Sequence, residues 1–459
     1  MAQGQERTVK YQSAHSAVSS SMSGCCCCCC CFPCCPGSPC YKGPPWNAFR
    51  DAPRSRGRKS VVCVAGLASS ALENHVPSYR DWFPCCLPPL FRVSYCSIKA
   101  LVSNPERTLQ SLRLRLTTGE LSDGREVQIA ESVSGVRIRP VRGTAGISTL
   151  NPGEWVPVDV WRQLVNSLGT DFNCQAFNYD WRRWGDQVYA ERLTDMFRAE
   201  IEEAYGHGSG DDRKVTVVAH SMGAPVTLYC LSALGDDWAQ QYIEQVILVA
   251  PAHMGSPSML PNFAHGPLGA THSFIPAPHF LEHHIGDITA TWACMVAEMP
   301  MMKVGTAEPW PEDHVFAKTP TREYGREDMG RFLDDVAACT GGREFGPALW
   351  PGVQELCGKM RAPAVATSII YSAGDETIAQ VTYASDDLGA APEISRTEPG
   401  DGTITAASIE AVAKAWQQDG ADVRLFKAEG RVSHKDLIAC SQTLQLIPKL
   451  LEGAEVQTE

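Results

Sequence analysis

The run Val217-Val-Ala-His-Ser-Met-Gly223 constrains this chain more than any other segment. An apolar strand-like stretch, Lys214 to Ala219, reaches Ser221 and passes straight into a helix-forming stretch from Met222 to Ala233. A serine on so tight a strand-to-helix turn needs small residues two positions to either side, and here they are Ala219 and Gly223. The helix start also brings backbone N–H groups and the positive dipole end beside Ser221 and Met222. This is the setting of a nucleophilic serine at the edge of a parallel sheet.

The rest of the chain supplies that sheet. Short apolar runs occur at Lys59–Ala65, Cys174–Tyr179, Glu244–Ala250, Ala364–Tyr371 and Val423–Lys427, and Asp186–Tyr205 reads as an amphipathic helix. Continuous β-branched runs alternating with helices predict an α/β architecture, its mostly parallel sheet covered on both faces. Between Pro257 and Pro351 no strand pattern is visible, and that Pro-, His-, Met- and Trp-containing stretch reads as a cap. The predicted layout is a disordered leader over 1–55 and one domain over 56–459, with a lid near 75–150 and a cap near 257–351.

A nucleophilic serine needs an oxyanion hole, a base and an acid. The turn Ala65-Gly66-Leu67-Ala68-Ser69-Ser70 follows the first strand, and Gly66 permits close approach, so the Leu67 and Met222 N–H groups are the candidate oxyanion donors. The base should follow the last strand, and only His434 lies downstream of residue 314. Two acids compete on strand position: Asp375, just after Tyr371, and Asp401, in the turn Pro399-Gly-Asp-Gly-Thr-Ile404. His279 and His283 stand four apart, but a third ligand is not evident and the order is not His-Glu-x-x-His, so no metal is expected.

Charge and cysteine set the leader apart. The chain carries −12 overall, which argues against nucleic acid as the main partner, yet residues 1–59 carry +6 and the remainder −18. Ten of the 20 cysteines lie between Cys25 and Cys40, seven of them consecutive from Cys25 to Cys31. Contiguous thiols do not match zinc-ligand spacing, whereas beside basic residues they suit S-acylation, and two lipid chains already anchor stably. No apolar run is long enough for a transmembrane helix, and no Asn-x-Ser/Thr sequon or secretory h-region occurs. The expectation is an intracellular protein held peripherally at a membrane surface.

Taken together, these residues resemble the lecithin:cholesterol acyltransferase family. The matching segments run in family order over roughly residues 60–450: Gly66-Leu-Ala-Ser-Ser-Ala-Leu-Glu73, Asp81-Trp82 with Cys85, Gly135-Val-Arg-Ile-Arg-Pro140, Asn178-Tyr-Asp-Trp-Arg182, the elbow itself, Ala250-Pro-Ala-His-Met-Gly-Ser256, Asp401-Gly-Thr-Ile404 and His434. The resemblance implies an α/β-hydrolase fold and favours Asp401 over Asp375. It implies a Ser221–Asp401–His434 triad moving a fatty acyl group from a glycerophospholipid to a lipid alcohol, without a cofactor. A phospholipase A-type hydrolase, with water as acceptor, is the alternative, and a catalytically silent lipid-binding protein the third reading. By resemblance also, Asp180 and Arg182 form a structural ion pair beneath the site, and Cys85 or Cys86 would pair with Cys96 in an oxidising compartment. The apolar residues Trp82, Phe83, Leu87, Leu90 and Phe91 are candidates to cover an acyl pocket.

Overall fold

Val61, Val62, Cys63 and Val64 are all fully buried although alternate residues of a strand face opposite ways, so their strand must be covered on both sides. A computed structural model places it there. The structure describes residues 57–75, 91–93, 105–151, 158–208, 210–266, 282–454 and 456. Six parallel strands form the central sheet: β1 (Ser60–Val64), β2 (Asn173–Phe177), β3 (Val215–His220), β4 (Ile243–Val249), β5 (Ala366–Ser372) and β6 (Val423–Ala428). Their order across the sheet is 6-5-4-3-1-2. With helices on both faces and a serine elbow after β3, this is the α/β-hydrolase fold.

Period-two alternation divides the interior into two cores. Val62, Val64, Val217 and Leu248 face α1 (Gln187–His207), α2 (Gly223–Leu234) and α3 (Ala406–Gln418), packing with Leu193, Phe197, Val226 and Val412. Val61, Cys63, Val218 and Ile247 face the opposite way, toward Leu164 and Leu168 of helix Arg162–Leu168 and Ile447 and Leu450 of α4 (Ser441–Leu451). Because β2 and β3 lie on opposite sides of β1, the loops after β1 and β3 diverge at the crevice where open α/β sheets bind ligands. Ser221 follows β3 and Gly66 follows β1.

A second sheet differs from the sequence reading. The stretch 257–351 does contain strands, Val315–Lys318 and Glu323–Gly325. They join Asp375–Thr382 and Glu393–Gly400, also unforeseen, in a four-stranded sheet. The hairpin strand Glu393–Gly400 is a largely exposed edge carrying Pro399, so it shows no apolar alternation to read. Helix Phe345–Gly358 runs through Pro351. In the lid region the described parts are a three-stranded sheet (Leu72–His75, Phe91–Val93, Arg137–Pro140), helix Pro105–Ser111 and hairpin Leu114–Glu120/Glu126–Ser132. Residues 1–55, Trp82, Phe83, Leu87, Leu90, the three lid cysteines, His279 and the side chains of Phe91, His283 and His284 lie outside the described residues.

Candidate active site

The elbow is a backbone feature first. Ser221 sits at φ +56°, left-handed and unfavourable for a residue with a Cβ. Its N–H donates to the Val249 carbonyl (3.0 Å), and its own carbonyl accepts from Ala224 N–H (2.9 Å) and Ala252 N–H (3.2 Å). Space around it is closed by main chain. A Cβ on Gly66 would lie 2.6 Å from Ser221 Cβ, and one on Gly223 would lie 2.3 Å from the Val64 carbonyl oxygen. Glycine at both positions is therefore a steric requirement.

His434 reaches Ser221 from the loop after β6. Its Nδ1 lies 2.8 Å from Asp401 Oδ2, and its Nε2 lies 2.8 Å from Ser221 Oγ. A carboxylate only accepts, so Nδ1 carries the proton and Nε2 accepts from the Ser221 hydroxyl. Asp401 is buried, and its other oxygen accepts from the N–H groups of Thr403 (2.9 Å) and Ile404 (2.7 Å). Those two bonds aim Oδ2 at the imidazole. His220 and His253 are also buried, but burial pushes both imidazoles down to about 3, so neither competes as a base near neutral pH.

Asp375 takes no part in this relay. It is the cross-strand partner of Gly400, one residue before Asp401, and its carboxylate pairs with Arg431. Both acids thus stand at the open end of one hairpin, and only Asp401 turns toward His434.

Leu67 and Met222, the candidate oxyanion donors, stand on the two loops that meet at Ser221. Met222 opens α2, where no intrahelical carbonyl can satisfy its N–H, and Leu67 follows the glycine pressed against Ser221. The Asn178–Arg182 block holds this loop from below. Tyr179 Oη donates to the Ala65 carbonyl (2.7 Å), and Trp181 Nε1 donates to the Ser70 carbonyl (3.1 Å). Arg182, with no exposed surface, binds Asp180 through two hydrogen bonds of 2.9 and 2.7 Å and donates to the Leu112 carbonyl. Asp180 and Arg182 are therefore a structural ion pair, while the grip of Tyr179 and Trp181 on the Ala65–Ser70 turn was not foreseen.

The family model described as lecithin:cholesterol acyltransferase matches residues 108–343, just over half of the chain. The chain belongs to the lecithin:cholesterol acyltransferase family. It is 28% identical over 290 residues to a phosphatidylcholine-sterol acyltransferase of Gallus gallus, covering 62% of this chain and 64% of that one. To the Homo sapiens protein of the same name it is 27% identical over 300 residues, covering 64% and 62%. The chain thus spans less than two thirds of the length of either. A Homo sapiens lysosomal phospholipase A and acyltransferase is 26% identical over 339 residues, covering 72% and 75%.

One buried acid near the site stands outside the relay. The main-chain carbonyl of Glu298 accepts from Ser256 N–H (2.9 Å), while its side-chain Oε1 has no partner among the described residues. Burial pushes its carboxyl well above the ordinary 4.5. The unfolded chain ionises this group first as pH rises, so the stability it contributes is complete below about 4.5 and is lost on the way up to the raised value.

Asp401→Asn should lower ester turnover by about three to four orders of magnitude, whereas Asp375→Asn should stay within about tenfold of wild type, because it loses only a pair with the exposed Arg431. Initial-rate assays on a soluble ester check both. Thermal unfolding of wild type and Glu298→Gln between pH 5 and 8 should show the variant gaining on wild type as pH rises.

Proposed function

We propose that the protein is a lipid O-acyltransferase working through an acyl-enzyme at Ser221. The observation that carries this reading is the relay Asp401–His434–Ser221, joined by two 2.8 Å contacts at the carboxyl end of the sheet. Family membership supports a lipid ester as substrate, and the printed names of the relatives include sterol and phospholipid chemistry.

The proposed sequence is acyl transfer in two halves. Ser221 Oγ attacks the ester carbonyl of a glycerophospholipid while His434 Nε2 takes its proton. Negative charge on the carbonyl oxygen is met by the Leu67 and Met222 N–H groups. Collapse breaks the ester bond, and His434 returns the proton to the leaving lysophospholipid oxygen. An acceptor alcohol, deprotonated by the same Nε2, then attacks the acyl-enzyme and restores Ser221. Transfer requires the alcohol to outcompete water, a task of exclusion that falls to the lid and cap.

Membrane attachment belongs to the same reading. Among the described residues, no helix is long and apolar enough to cross a membrane. Acylation of thiols in the Cys25–Cys31 block, within a leader of net charge +6, would supply peripheral anchoring at an intracellular membrane surface instead.

In phospholipid vesicles containing diacylglycerol, a sterol or a long-chain alcohol, wild type should esterify at least one acceptor at the expense of free fatty acid, and Ser221→Ala should do neither. Free fatty acid as the sole product across all three acceptors would replace transfer with phospholipase activity. In cells, replacing the leader cysteines by serine should shift the protein from the membrane pellet to the supernatant, and hydroxylamine should release lipid from wild type alone.

A further inference from the structure

His220 immediately precedes the candidate nucleophile, and its ring nitrogen meets the peptide of the candidate base. Its Nε2 lies 3.0 Å from the His434 carbonyl oxygen, and the two imidazoles are 5.1 Å apart. A carbonyl only accepts, so His220 Nε2 carries the proton and donates it. Its ring is buried, with the Trp161 ring edge-on at 6.2 Å, and Nδ1 has no partner among the described residues. On the other side of the same residue, the His434 N–H donates to the Asp401 carbonyl at 2.8 Å. The main chain of the base is therefore gripped at both ends, by the acid's residue and by the nucleophile's neighbour.

We propose that His220 is a positioning residue, whose Nε2–H bond to the His434 carbonyl fixes the base's main chain against the elbow. His434 belongs to a loop, not to a helix or strand. With its N–H alone bonded, the residue keeps the freedom to pivot about that bond, and its side chain swings with it. The second bond removes this freedom, and it ties the base to the residue covalently joined to Ser221. The distance between Nε2 of His434 and Oγ of Ser221 is then set by a short closed ring of covalent and hydrogen bonds. A displacement of about 1 Å is enough to cost such a pair much of its rate.

The inference rests on the chemistry proposed for Ser221 and His434, and the test separates the two. Full-length wild type, H220Q, H220N and H220F are reacted with a fluorophosphonate under pseudo-first-order conditions, with Ser221→Ala as control. Ester hydrolysis kinetics and thermal unfolding accompany each variant. Gln brings an amide N–H close to the place of Nε2, Asn falls short of it, and Phe keeps a ring without a donor. H220F and H220N should label about 10- to 100-fold more slowly, with kcat falling in step and KM within about twofold. H220Q should recover most of the rate.

Wild-type labelling by folded H220F, or equal losses in the Gln and Phe variants, would overturn the inference. So would rate losses that simply track a fall in melting temperature across the series, which is the mark of a packing role. If H220F does not fold, the comparison of Gln with Asn decides: recovery by Gln alone supports the bond, and equal rates reject it. Absence of Ser221-dependent labelling in the wild type would overturn the reading of the site itself, and this inference with it.

Discussion

The left-handed backbone at Ser221 is the constraint on which the rest of the structure depends. A non-glycine residue at φ +56° costs on the order of 1–3 kcal/mol and persists only where its surroundings leave no alternative. Here they leave none. Its amide and carbonyl are bonded to the ends of β4 and α2 and to the loop beyond β4, and main chain presses on it through Gly66 and Gly223. The spacing of β1, β3 and α2 is in this way tied to a single turn. The candidate oxyanion donors, one on each side of that turn, are positioned by the same crowding.

Around this turn the protein spends buried polar groups on support. The Asp180–Arg182 pair gives up hydration of two charges, which a buried ion pair recovers only with good geometry and further hydrogen bonds. Both conditions are met: the pair is bidentate, and Arg182 also donates to the Leu112 carbonyl, which accepts from the indole of Trp292 as well. The lid-region hairpin and the cap helices are joined to the sheet through these contacts. Trp181, edge-on to Trp292 at 4.9 Å, and Tyr179 carry the connection up to the Ala65–Ser70 turn.

The acid shows where reading along the chain stops being sufficient. Asp375 and Asp401 are 26 residues apart in sequence, and strand position alone could not choose between them. The reason is visible in the pairing: Asp375 faces Gly400 across a hairpin, so the chain leaves the sheet at one aspartate and returns beside it at the other. Resemblance to the family favoured Asp401. What separates the two physically is the turn after Gly400, whose amides seize one carboxylate oxygen and point the other at His434, while Arg431 occupies Asp375.

Local sequence was enough for whatever depends on local rules. Fully buried runs such as Val61–Val64 and Val215–Ala219 announced a parallel sheet because only such a sheet covers both faces of a strand. Ala219, Ser221 and Gly223 announced the elbow because its sterics are set within five residues. His434 followed by elimination, being the one histidine beyond residue 314. Tertiary structure decided the rest. The exposed edge strand Glu393–Gly400 has no apolar pattern, the grip of Tyr179 on Ala65 spans 114 residues, and that of His220 on His434 spans 214. Such bonds leave no periodic signal in the chain, because hydrogen-bond geometry between distant segments exists only after the sheet has brought them together.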